Sequence, residues 1–120
     1  MQTNLEQVRA KHADDAIKRN ENLSKSAVNK LPALILQNGL LAAAAFCTAD
    51  GGGENRKHLK NALDATARHL AQRGMTESHI REEAKAMIND LSNGDSQKLQ
   101  RATTEALAFV AYLKRFAPKD

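Results

Sequence analysis

Apolar residues recur at helical spacing through most of the chain, and polar or glycine-rich interruptions divide it into five blocks. The first runs from Asn4 towards Asn29 and puts Leu5, Val8, His12, Ala16 and Leu23 on one face. Asn20, Asn22 and Ser24 weaken its middle and permit a break there. Pro32 is tolerated in a first helical turn, so a second block starts near it and reaches Ala49, with Gly39 as its soft point. Asp50, Gly51, Gly52 and Gly53 make the clearest loop. The third block spans Asn55 to Arg73, striped by Leu59, Leu63, Thr66, Ala67 and Leu70, and Gly74 ends it where a left-handed cap is wanted. Thr76 is the N-cap expected for a fourth block, Glu77 to Leu91, striped by Ile80, Ala84, Met87, Ile88 and Leu91. Asp95 or Ser96 caps a last block ending at Ala117 before Pro118. Its stripe is Leu99, Ala102, Thr103, Ala106, Val110, Leu113 and Ala117, flanked by Phe109 and Phe116. Five amphipathic helices on short connections predict an all-α fold, a single compact antiparallel bundle over residues 1–120.

Composition agrees with that pattern. Alanine (21) and leucine (14) dominate while proline (2) and glycine (6) are few, which favours helix and excludes an all-β sandwich. The 19 residues from Leu31 to Ala49 carry no charge, yet Gln37 and Asn38 sit at their centre and many of the rest are alanines. Polar amides at mid-bilayer are costly, so this segment reads as a buried helix and not a membrane span. Within it, Gly39 is expected to let a neighbouring helix approach closely, and Cys47 to be a small core residue. The polar N-terminus carries no secretory pattern, so a cytoplasmic location is expected.

Catalytic signatures are scarce. His12, His58, His69 and His79 are dispersed, none at i, i+3 or i+4 from another, and they read as isolated surface or half-buried groups. Adjacent carboxylates (Asp14 and Asp15, Glu82 and Glu83) diverge around a helix and do not converge on a substrate. The glycine triplet lacks the Lys-Ser/Thr of a phosphate loop. The expectation is a protein that is not an enzyme and uses no metal or cofactor.

The cations say more. Net charge is +4, and Arg56, Lys57, Lys60 and Arg68 fall within one arc beside the third stripe, opposed only by Asp64. A second run, Lys18, Arg19, Lys25 and Lys30, faces only Glu21. Such arcs suit phosphate backbones, held by charge without reading sequence. Aromatics are 3% of the chain, and Phe46, Phe109 and Phe116 are expected in the core, which argues against bases stacking on a platform.

Two stretches carry a resemblance. Lys30 to Leu40 reads KLPALILQNGL and Arg101 to Ala117 reads RATTEALAFVAYLKRFA. Both resemble the small subunit of the Cmr complex, the type III-B CRISPR RNA-guided effector, and the family's length matches the whole chain. Leu99 and Tyr112 stand where that family often carries an aromatic and a Trp. The resemblance implies an all-helical, non-catalytic scaffold stacked in several copies as a short filament, supporting guide RNA–target RNA binding in antiviral defence. It implies as partners the backbone subunit, neighbouring copies, guide RNA and target RNA. The alternative is a protein–protein adaptor with no direct RNA contact. Because the apolar stripes are all needed to close one core, the isolated chain is expected to be monomeric or weakly associating. Lys18, Arg19, Lys25, Lys30, Arg56, Lys57, Lys60 and Arg68 are the candidate RNA contacts, from the physical reading alone.

Overall fold

The computed structural model describes residues 4–20, 22–49, 53–76 and 83–119, and the regular structure among them is all α-helical. In chain order the helices are α1 (Leu5–Arg19), α2 (Lys25–Asn29), α3 (Leu31–Asn38), α4 (Leu40–Thr48), α5 (Gly53–Gln72), α6 (Glu83–Ser92) and α7 (Ser96–Phe116). Asp50, Gly51 and Gly52 of the expected loop, and Glu77 to Glu82 with Ile80 and His79, lie outside the described residues.

Two expected blocks are each divided. The first breaks at its polar middle: Asn20 is extended, Leu23 is fully buried, and Ser24 caps α2 by accepting the Ala27 N–H. The second breaks at Gly39, whose φ of 87° and ψ of 159° lie in a region only glycine occupies readily. The close approach expected at Gly39 is not found, because a Cβ placed there would meet nothing within 4 Å. Glycine is required by the backbone and not by a neighbour. The uncharged stretch is therefore two short helices, and no helix among the described residues is long and apolar enough to cross a membrane.

Two expected caps form, at Gly74 and Asp95, and the cap expected at Thr76 leads into residues outside the described ones. Asn4 and Gln7 form a reciprocal capping box on α1. Gly74 has φ 74°, with its N–H on Ala71 O and the Met75 N–H on Leu70 O, the paired turn that closes α5. Asp95 accepts the Lys98 N–H at 2.8 Å and starts α7.

The hub is α5, which packs against α1, α2, α4, α6 and α7, while α1 lies mainly on α7. All five expected stripe residues of α5, Leu59, Leu63, Thr66, Ala67 and Leu70, are buried. Leu31, Ile35, Met87, Leu91, Phe109 and Leu113 fill the core with them, and interleaved alanines let the helices approach. Cys47 is buried as expected, and burial pushes its thiol up to about 11. The three phenylalanines do not all go inside. Phe109 is fully buried, but Phe46 is 47% and Phe116 43% exposed, and Leu36 is 72% exposed. Each sits near a helix end or on a face that no other described element covers.

Candidate nucleic-acid interface

Because α5 is packed on so many sides, its remaining polar strip is narrow: Lys57, Lys60, Asp64 and Arg68, at i, i+3, i+7 and i+11. These residues have different jobs. Asp64 accepts the Ala84 N–H at 3.0 Å, capping the start of α6, and takes Lys60 Nζ on its other oxygen at 3.1 Å. Arg68 grips Glu83 of α6 through Nε, at 3.0 Å, and Nη2. Asp64 and Arg68 together dock α6 on α5. The arc read from the sequence is thus divided, with Lys60 and Arg68 engaged by carboxylates and Lys57 open to water.

Arg56 belongs to a different surface. Its guanidinium lies over the exposed ring of Phe46 on α4, 4.1 Å from the centroid. Together these two, with Lys30, Ala33, Leu34 and Gln37 from the α2–α3 corner and Leu59 of α5, line an open cleft of about 470 Å³. Lys30 and Arg56, drawn from separate basic runs, therefore meet at one site. Neither makes an ion pair with any described residue, and no acidic side chain is among the lining residues. The cleft was missed in the sequence because Phe46 sits in an apolar run, where an aromatic ring reads as core.

A second cationic groove, of about 450 Å³, lies where α2 and α3 meet the C-terminal half of α7. Lys25 lines it with Lys114 and Arg115, over Pro32, Leu107 and Ala111. The Lys25 N–H donates to Pro118 O at 2.9 Å, which fixes the α7 end beside α2. Lys114 and Arg115 were visible in the sequence but read only as part of a bundle-forming motif. On α1, Lys18 is exposed and paired with Asp14 at 2.9 Å, and Arg19 is exposed.

The histidines contradict the reading of them as isolated groups. His12 of α1 and His69 of α5 meet, Nδ1 to Nδ1 at 2.8 Å. His69 is fully buried, stacked on Phe109 with ring centroids 4.4 Å apart, and its Nε2 lies 2.7 Å from Glu105 of α7. Arg9 closes the chain with two hydrogen bonds to Glu105, at 2.8 and 2.7 Å. Burial alone would raise the Glu105 carboxyl, but hydrogen bonds from Arg9 and His69 outweigh it and hold the group at about 2. Burial pushes both histidines below their ordinary value. An ionised Glu105 requires an Nε2–H on His69, so His69 accepts at Nδ1 and His12 donates. The sequence separations, 57 between the histidines and 96 between Arg9 and Glu105, explain why no local motif reveals the chain. His58 also has a structural partner, accepting the Ser24 N–H at 2.9 Å.

A family model described as CRISPR-associated protein (Cas_Cmr5) matches residues 2–119. No curated protein and no solved structure matches the chain.

Proposed function

From membership of the CRISPR-associated (Cas_Cmr5) family, to which this chain belongs as a small subunit of the type III-B Cmr complex, we propose that it is a non-catalytic scaffold holding RNA backbone within the assembled effector. Several copies stack along the complex and place their cations along guide or target RNA, in the cytoplasm. The observation that carries this reading is the meeting of Lys30 and Arg56 at a cleft lined, among the described residues, by no acidic group. The groove of Lys25, Lys114 and Arg115 adds a second surface of the same sign, and Lys57 and Arg19 are exposed. Phosphate binding needs cations that are not already neutralised, so Lys60 and Arg68 contribute less and Lys18 is shared with Asp14.

A non-catalytic role is supported by the way the buried histidine–carboxylate cluster is engaged. In the chain from Arg9 to His12, Glu105 uses both oxygens and His69 both ring nitrogens on neighbours within the chain, and His69 has no exposed surface to offer a substrate. Its role is to lock α1, α5 and α7 together.

The test is target-RNA retention by the assembled complex at two salt concentrations. Charge reversal at Lys25, Lys30, Arg56 and Lys57 together should lower retention and flatten its salt dependence, with helicity unchanged. Wild-type retention and salt slope in that variant would leave the adaptor reading, which the exposed Leu36 and Phe116 favour.

A further inference from the structure

The cleft between the α2–α3 corner, α4 and α5 has more than charge. Its floor is apolar, formed by Leu34 and the buried Leu59, and one wall is the Phe46 ring with the Arg56 guanidinium laid on it. Lys30 stands at the rim and Gln37 offers an exposed amide. A cleft for phosphate alone would need none of the apolar surface, and a cleft for an apolar peptide would leave beside it two cations with no ion pair among the described residues. One ligand uses both halves. We infer that the cleft receives a single unpaired RNA nucleotide, its base against the Phe46–Arg56 stack and the apolar floor, its phosphate on Lys30 and Arg56.

The physical fit is close on each count. The volume, about 470 Å³, is on the scale of one nucleotide with its hydration and is too small for a duplex. A guanidinium layered on an aromatic ring is a flat cationic platform, and a base stacks on such a plane whatever its identity. Phe46 keeps 47% of its surface exposed, at a cost in apolar hydration that a stacked base would remove. The Gln37 amide carries both a donor and an acceptor, so it can meet any base edge and imposes little sequence preference. This inference rests on the proposed RNA-holding role and specifies it: stacking in the cleft, in addition to charge along the surface.

The experiment is an NMR titration of the full chain at millimolar ligand, where even weak binding registers. The probes are a short single-stranded oligoadenylate, a duplex RNA of the same length, and inorganic tripolyphosphate as the charge-only control. The single strand should shift the Phe46 ring protons and the Leu34 and Leu59 methyls by ring current, and tripolyphosphate should move the Lys30 and Arg56 signals without those ring-current shifts. Phe46→Ala should weaken single-strand binding about tenfold, and Phe46→Leu, which keeps the apolar bulk, nearly as much. Arg56→Lys should retain tripolyphosphate binding and lose the stacking shifts. If the single strand binds but Phe46→Ala binds within twofold of wild type, the cleft proposal falls and the charge-based reading stands. If neither single strand nor duplex perturbs the protein, both fall. If assembly with the other subunits buries Phe46 before RNA is added, the occupant is protein and the cleft proposal is overturned.

Discussion

His12 Nδ1 lies 2.8 Å from His69 Nδ1, joining α1 to α5 through a hydrogen bond that tolerates only one arrangement of protons at a time. With both rings neutral, His12 donates and His69 accepts. One added proton can be accommodated on either ring, but two would set N–H against N–H and break the contact. Both histidines are held below their ordinary value of 6.5, chiefly by burial. The unfolded chain therefore binds more protons than the folded one as pH drops through that value. The contribution to stability is complete above about 6.5 and is lost progressively below it. The melting temperature should fall between pH 7.5 and 5, and His12→Gln should shrink that fall; circular dichroism melts at several pH values decide it. A second loss belongs to Glu105, whose contribution is complete above about 4.5 and disappears towards its folded value of about 2.

Gly39 gives a prediction in which side-chain size does not matter. Its φ of 87° and ψ of 159° penalise any residue with a Cβ, while the space around it is open. Gly39→Ala should cost about 1–3 kcal/mol through backbone strain. Gly39→Leu should cost nearly the same. Urea denaturation of both variants tests this, and a much larger loss for leucine would mean that crowding, not backbone conformation, is the constraint.

Arg68 and Lys57 lie on the same strip of α5 but should separate into different phenotypes. Arg68→Ala removes the clasp on Glu83 that holds α6, and a double-mutant cycle with Glu83→Ala should give a coupling of about 0.5–1 kcal/mol. Its effect on RNA retention should be no larger than the stability loss explains. Lys57→Glu should change stability by less than about 0.5 kcal/mol, since the side chain is exposed. Its effect belongs in RNA retention and its salt dependence.

Cys47 should be inert while the protein is folded. The thiol is fully buried and its pKa is pushed up to about 11, so almost no thiolate exists at pH 8. Iodoacetamide at that pH should leave it unmodified by mass spectrometry until denaturant is added. Rapid labelling of the native protein would place Cys47 at the surface.

The ends of α5 and α7 were determined locally, and the sequence discloses them. Gly74 ends α5 and Asp95 begins α7 because a left-handed turn and an orphan N–H each call for a particular residue type, whatever lies around them. The buried stripes of α5 and α7 follow from a periodicity that any amphipathic helix must show. The two family-bearing stretches are also local, being runs of 11 and 17 residues. What the tertiary structure decided is which side chains meet. Local spacing cannot bring Arg9 to Glu105 across 96 residues, nor choose Phe109 for the core while leaving Phe46 beside Arg56 at the surface. It cannot separate the cations either. Lys57 and Arg68 carry the same charge at nearly the same helical angle, and only the arrival of α6, bringing Glu83 to one of them, makes one a clasp and leaves the other open to water. Helix formation depends on neighbours three and four residues away, whereas burial and charge pairing depend on groups that folding brings from anywhere in the chain.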